Sequence, residues 1–400
     1  MYRPDSPLPC MPDFADSGSR FGNAGVRLLV LLSLAVLALS SLAGQPAHAA
    51  SRPKPERGAE AVSQSRRARL STSRTWAYQL RIHDLAPLAA SAADLLVVDH
   101  GYAARHDGKI MFEPAEVAKL KRKPDGSRRI VIAYMSIGEV EQYRFYWQGS
   151  WCSRATAPPW IGAVNPNWPG NYPARFWHPD WQKLILDPAG GYLSHIQTQG
   201  FDGIYLDRTD VYGEWSQERP SAETDMIAFL AEIGAVARKR DPAFLIVMQN
   251  AEELLVHKAV RRLLDGVAKE DLLHGLQFTE AANDAAAVDS AVTDLKRARA
   301  DGLPVFAVEY LSDPVKITAA RDRLLHYGFV PYFAPRLLDK LMPQPGVQSP
   351  LPTGSAAPPE TMARAQASAP SPTTPPTASL PAVSLPAASW AEGAPTCLRD

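Results

Sequence analysis

Along this chain of 400 residues, carboxylates recur in one kind of place, at the ends of short apolar runs. Asp99 closes the run 95–99, Ser136, Gly138 and Glu139 follow 130–135, and Asp207 closes 203–207 with Asp210 close behind. Glu270 and Asp271 follow 266–269, and Glu309 and Tyr310 close 305–310. A single acid at such a position caps a helix or anchors a loop. Five acids gathered on one rim repel one another and raise each other's pKa, which folding alone does not favour. Two carboxyls suffice to hydrolyse a glycosidic bond: one protonates the leaving oxygen, and the other attacks the anomeric carbon or activates water. Metal binding is the other use of grouped acids. The chain carries neither the His-rich set of a zinc hydrolase nor an Asp-x-Asp-x-Asp calcium loop, so no metal and no cofactor are expected.

A sugar ligand also needs aromatic faces to stack on its apolar side. Trp147, Trp151, Trp160, Trp168, Trp177 and Trp181, with Tyr143, Tyr146 and Tyr172, crowd one long connection after the third apolar run. Any one of them could equally pack that connection onto the domain. As a set they favour the wall of a saccharide cleft.

The elements that would position these groups are eight β-rich runs, at 76–80, 95–99, 130–135, 203–207, 244–249, 266–269, 305–310 and 330–333. Most are apolar throughout, as strands buried on both faces of a parallel sheet must be. Amphipathic stretches at 114–120, 180–199, 222–239 and 287–301 separate several of them. Eight strands with crossover helices over about 250 residues have the rhythm of an α/β protein of the (β/α)8 TIM barrel class, in which chemistry sits at the strands' C-terminal ends. An open doubly wound sheet is the competing architecture. Its dinucleotide-binding form is disfavoured because no G-x-G-x-x-G turn follows the first strand.

Composition bounds the remainder. The chain is 46% hydrophobic and 21% charged, with 42 basic against 42 acidic residues, so it lacks the field with which nucleic-acid binders gather phosphate. Arg20 and Arg27 precede an apolar run over 28–43, and Ala47-His48-Ala49 follows it. Residues 1–49 therefore read as a secretory signal cleaved near Ala49, or else as an uncleaved anchor and the only route to a membrane. The protein is expected outside the cytoplasm, secreted or periplasmic, as a monomer. Residues 50–72 read as a flexible leader with solvated arginines, and 342–400, rich in Pro, Ala, Ser and Thr, as a disordered tail. One folded domain, 73–341, lies between these disordered termini. Of the three cysteines, Cys152 and Cys397 could pair in an oxidising compartment, but Cys397 falls in the tail.

Five ordered motifs then carry a resemblance. Tyr134-Met135-Ser136-Ile137-Gly138-Glu139, Gly200-Phe201-Asp202-Gly203-Ile204-Tyr205-Leu206-Asp207, Gln249-Asn250-Ala251-Glu252-Glu253-Leu254, Asp265-Gly266-Val267-Ala268-Lys269-Glu270-Asp271-Leu272 and Val308-Glu309-Tyr310 resemble the successive motifs of glycoside hydrolase family 114. That resemblance runs along 73–341 and is shared more distantly by the hydrolase domain of Pel-type exopolysaccharide proteins. It implies a (β/α)8 fold and endo-α-1,4-polygalactosaminidase activity on a partly deacetylated, amino-sugar polysaccharide. Asp207 and Glu270 are the implied catalytic pair, with Asp207 as nucleophile or electrostatic partner and Glu270 as acid/base. Asp99, Tyr134, Glu139, Asp210, Asn250, Glu309 and Tyr310 are the implied sugar-holding subsite. An anionic rim would attract the free amines of such a polymer. Lys269, beside Glu270, is expected to turn away from the mouth by strand alternation, and Glu280 is a lesser candidate for the second carboxylate. A non-catalytic carbohydrate-binding barrel and an exopolysaccharide-processing subunit stand as alternatives.

Overall fold

The computed structural model describes residues 55–103 and 110–344. The expected signal or anchor over 1–49 and the tail beyond 344 lie outside the described residues. Among those described, no helix is long and apolar enough to cross a membrane. Cys152 is disulfide-bonded; Cys10 and Cys397, and with them the Cys152–Cys397 pairing, lie outside the described residues.

The described residues open with helix α1 (Pro55–Ser71) and continue with β1 (Trp76–Gln79), β2 (Leu95–Val98) and β3 (Ile130–Ser136). Helices α2 (Ala86–Ala90) and α3 (Pro114–Leu120) connect these strands. After β3, a long connection carries the antiparallel pair β4 (Glu139–Glu141) and β5 (Asn171–Pro173), then helices α4 (Pro179–Leu186) and α5 (Tyr192–Thr198). Strands β6 (Gly203–Asp207), β7 (Leu245–Gln249), β8 (Gly266–Glu270), β9 (Val305–Glu309) and β10 (Val330–Phe333) follow. They alternate with α6 (Tyr212–Trp215), α7 (Ala222–Arg240), α8 (Lys258–Leu263), α9 (Ala285–Ala300) and α10 (Pro314–Tyr327). The eight longer-range strands form one parallel sheet in the order β1-β2-β3-β6-β7-β8-β9-β10. Where β10 returns to β1, the Trp76 indole donates to the Val330 carbonyl at 3.0 Å, and the amides of Leu80 and Arg81 both donate to Leu338 O. The fold is a (β/α)8 barrel.

Buried strands explain why the apolar runs were continuous: all seven residues of β3 are buried, with helices outside and side chains filling the barrel inside. The filling is aromatic. Trp76 meets Phe306 and Tyr332 at centroid distances of 5.5 and 5.4 Å, and Tyr78 meets Tyr205 at 5.1 Å. The stretch expected as one helix over 180–199 is two, α4 and α5, because Asp187 leaves the helical conformation at the end of α4 and Pro188 follows it.

Three aspartates standing one residue before a strand organise the N-terminal end of the barrel. Asp94 accepts the amides of Arg74 and Thr75 and pairs with Lys123. Asp202 accepts Val131 N at 3.0 Å and pairs with Arg69 and Lys121. Asp265, fully buried, accepts Ile246 N at 2.9 Å and pairs with Arg66 and Arg238. Each acid satisfies an amide beside its strand while a cation offsets its burial.

Two of those cations come from α1, which corrects the expectation of a flexible leader with solvated arginines. Arg66 is buried, and its neighbour Arg67 donates to the carbonyls of Leu264, Asp301 and Arg261. Leu70 is fully buried against Gly266, where a Cβ would come within 2.6 Å of it. This helix has too little apolar surface to show a periodicity; guanidinium groups bonded to acids and carbonyls dock it. The C-terminal boundary also shifts, because Gln344 exchanges two hydrogen bonds with the backbone of Phe333.

Arg66→Met should lower stability in urea denaturation by about 3 kcal/mol, since it leaves Asp265 buried with one cation fewer. Arg69→Met, whose partner Asp202 keeps Lys121, should cost less than about 1 kcal/mol. Equal, small effects from both would show that α1 is not held this way.

Candidate active site

At the C-terminal ends of the strands lies a cavity of about 560 Å³. Its centre follows from strand order. β7 runs between β6 and β8, so its last residue, Gln249, stands between Asp207 and Glu270, the last residues of its neighbours. Gln249 Nε2 donates to Asp207 Oδ1 at 2.8 Å and to Glu270 Oε1 at 3.3 Å. With oxygen in place of that nitrogen, the amide would face two carboxylates with a lone pair, so the chemistry fixes its orientation. From the other side of each acid comes a tyrosine: Tyr134 on β3 donates to Asp207 Oδ2 at 2.6 Å, and Tyr310, just past β9, donates to Glu270 Oε2 at 2.8 Å. Asn250 adds a bond to Glu270 Oε1 at 2.9 Å.

Arg208, Asn250 and Asp271, the residues directly after these three strand ends, all take left-handed backbone conformations, with φ of 58°, 56° and 51°. Such conformations cost a non-glycine residue about 1 kcal/mol or more and persist where the surroundings hold them. Here they turn the chain so sharply that consecutive side chains serve different partners. Asp207 faces Gln249 while Arg208 pairs with Glu139 at 2.9 Å. Glu270 faces Gln249 while Asp271 takes a two-pronged bond from Arg336 at 2.8 and 2.9 Å.

Electrostatics follow from this crowding. Burial, reinforced by the charge of Glu270, pushes the Asp207 carboxyl up to about 7 against the pull of the Tyr134 hydrogen bond. Burial and the charge of Asp271 raise Glu270 above its ordinary 4.5, against its bonds from Tyr310 and Asn250. Two acids that share one donor hold one proton between them over an intermediate pH range, and the two titration steps belong to the pair.

The other expected residues divide. Tyr134, Asn250 and Tyr310 line the cavity but spend their polar atoms on the acids, which they orient. Asp99 lines it with both oxygens on Arg144, at 2.7 and 2.8 Å. Glu139 is buried at its edge, taking Asn165 at 2.7 Å and Asn171 at 3.0 Å as well as Arg208. Asp210 faces the cavity and is well exposed. Glu309 corrects the expectation for it. It does not line the cavity; fully buried, it accepts the amides of Leu273 and His274 at 2.8 and 3.1 Å and so holds the loop after β8. That loop's amides find no sheet partner there, and a carboxylate at a strand end answers the need. Glu280 binds Ser312 and Lys316 away from the mouth. Lys269 points away to pair with Glu252 at 3.0 Å, as alternation required.

The aromatic set is corrected too. Trp147, Trp151, Trp160 and Trp181 form a chain of ring contacts, at 5.2 to 5.5 Å, that packs the long connection onto the barrel, and Trp177 meets Trp215. Of the nine rings, only Trp168 and Tyr143 line the cavity. Sequence reasoning passed over Gln249, although it ends a strand as the chosen acids do. It also missed Arg144, buried against Asp99, Glu141 and the Tyr134 ring, and Arg336, stacked 4.5 Å over Tyr310; no local pattern marks either. Among the described residues, no group of three or more His, Cys, Asp or Glu side chains is placed to hold a metal ion.

Two half-buried carboxyls facing one another at the C-terminal mouth of a (β/α)8 barrel make a glycosidase-like site. Glycoside-hydrolase family GH114 matches residues 58–348, and the chain belongs to that family. An uncharacterized protein of Methanocaldococcus jannaschii is 34% identical over 282 residues, covering 66% of this chain and 77% of its own. One of Thermotoga maritima is 32% identical over 290 residues, covering 69% and 85%. Among solved structures, the glycoside hydrolase domain of PelA from Pseudomonas aeruginosa shares the fold. It has a TM-score of 0.51 and 22% identity, over 67% of this chain and 96% of that one.

The shared proton predicts a bell-shaped pH dependence of kcat/KM, with the acid limb above the ordinary glutamate value and activity falling as pH rises through about 7. Stability carries the same signature. The raised Asp207 pKa makes the folded state bind a proton more tightly than the unfolded one, so stability falls as pH rises from 3.8 towards about 7. Asp207→Asn should therefore raise Tm, and by more at pH 8 than at pH 5. A gain independent of pH would contradict the raised pKa.

Proposed function

We propose that this protein is an endo-acting hydrolase of partly deacetylated, α-1,4-linked galactosamine polysaccharide, exported by its N-terminal segment and active as a monomer. The observation that carries the catalytic part is the Gln249 amide held between Asp207 and Glu270. Because one nitrogen reaches both acids, their nearest oxygens lie at most about 6 Å apart. A pair close enough to share one donor favours direct attack by one carboxylate over attack by a water held between the two. In this reading Asp207 is the nucleophile, its two oxygens already oriented by Tyr134 and Gln249. Glu270 is the acid and then the base, acting in the form of the pair in which the shared proton lies on Glu270 and Asp207 is ionised.

The substrate class rests on charge. Seven carboxylates line the cavity (Asp99, Glu139, Asp207, Asp210, Glu214, Glu270 and Asp271), against the guanidinium groups of Arg81, Arg144, Arg208 and Arg336. The excess acid favours a sugar bearing an ammonium group over neutral or anionic glycans. Asp210 and Glu214, the most exposed of these acids, share a single arginine, Arg208, and are the first contacts we assign to such an amine. Membership of GH114 is consistent with this substrate.

The test is release of reducing ends from partly deacetylated α-1,4-galactosaminogalactan by the full chain. Wild type should release them, and Asp207→Asn and Glu270→Gln should each lower kcat by about 10³ or more. Near-wild-type turnover in either variant removes that residue from the mechanism. Retention of wild type in a polymer-containing affinity gel without release would make it a binding module.

A further inference from the structure

Two aromatic side chains that line the cavity meet from loops that follow different strands. Trp168, in the connection after β3, and Phe278, in the loop after β8, both line the cavity, and their rings touch edge to face at a centroid distance of 6.5 Å. Around the barrel rim, the ends of β6 and β7 lie between these loops. The contact therefore spans the arc that carries Asp207 and Gln249.

Each ring sits at the tip of a small closed turn. Trp168 is centred in 165–171, where Asn165 N donates to Asn171 O at 2.8 Å, Trp168 N to Asn165 O and Asn171 N to Trp168 O. Phe278 is centred in 275–281, where Gly275 N donates to Ala281 O and Phe278 N to Gly275 O, and Phe278 itself has a left-handed φ of 58°.

The anchors of the two turns lead back to the catalytic strands. Asn165 and Asn171, three residues to either side of Trp168, both donate to Glu139, and Glu139 pairs with Arg208, the residue after Asp207. On the other side, Arg336 lies 5.2 Å under the Phe278 ring and grips Asp271, the residue after Glu270. The two residues that directly follow the catalytic acids, each in a strained conformation, thus hold the two arms.

We infer that Trp168 and Phe278 form an aromatic clasp, a sugar-stacking subsite that must part to admit an internal stretch of polysaccharide and then closes on it. This rests on the reading of the protein as a polysaccharide hydrolase. An endo-acting enzyme has to take a chain by its middle, and two rings in contact across the arc of Asp207 and Gln249 must separate for a chain to lie between them. Edge-to-face contact between two side chains is weak, so the arms part readily, and each ring then presents a face to the apolar side of a pyranose. The ion pairs at the base of each arm keep the rings in register with the acids.

The clasp is a specificity determinant for long chains, so its removal should act on KM. In the full-length protein, Trp168→Ala and Phe278→Ala should each raise KM for partly deacetylated α-1,4-galactosaminogalactan about tenfold, while kcat changes by less than about threefold. Trp168→Phe should restore most of the loss, since a stacking face is what the subsite needs. An unchanged KM in both alanine variants, or a loss confined to kcat, overturns the clasp while leaving the hydrolase reading intact. If wild type cleaves a different polysaccharide, the substrate reading fails and the same KM comparison on that polymer decides the clasp. A wild-type protein that binds no polymer overturns both.

Discussion

Asp207 and Glu270 are held close enough to accept hydrogen bonds from one amide nitrogen, and two negative charges at that distance in a half-buried site destabilise one another. The surrounding structure reads as the set of conditions under which such a pair can be held. Gln249 supplies the shared donor because β7 separates β6 from β8. Tyr134 and Tyr310 supply the outer donors because β3 and β9 flank those strands on the far sides. The near symmetry of the five groups about Gln249 is a property of strand order, and it orients both carboxylates before any substrate arrives.

The two ends of the barrel use the same side chain differently. At the N-terminal end, Asp94, Asp202 and Asp265 each receive a backbone amide and at least one cation, so their charges are offset and they contribute to folding. At the C-terminal end, Asp207 and Glu270 receive neutral donors, and the nearest cations, Arg208, Lys269 and Arg336, are turned to Glu139, Glu252 and Asp271. The left-handed residues after each strand accomplish that separation: the turned backbone keeps on another partner a guanidinium that would otherwise favour the ionised form of the neighbouring acid.

How much of this a sequence can carry depends on the kind of interaction. The eight strands were legible because strands covered on both faces are apolar throughout, and residues such as 130–135 and 203–206 admit few other environments. The placement of Asp207 and Glu270 on one rim was legible because strand ends are where barrel chemistry sits. Helix α1 was not legible, since it docks through arginines whose partners lie some 130 to 230 positions away in the chain. Glu309 was misplaced because a strand-end acid can turn to loop amides as easily as to a ligand, and sequence does not record which. The tryptophans misled for a similar reason: a ring that stacks on a sugar and a ring that packs on Trp181 look alike in one dimension.

What the arrangement can do is limited most by the separation of the acids. Under the proposed mechanism, with nearest oxygens at most about 6 Å apart, one carboxyl would attack the anomeric carbon while the other serves the leaving group, and the configuration of the sugar would be retained. The central claim is tested most directly by proton NMR of the first product formed from α-1,4-galactosaminogalactan, before mutarotation mixes the anomers. Appearance of the α-anomer first is the result this geometry predicts. Appearance of the β-anomer first would mean that a water acts between the two carboxyls, and it would contradict the shared placement of Asp207 and Glu270 on which the account is built.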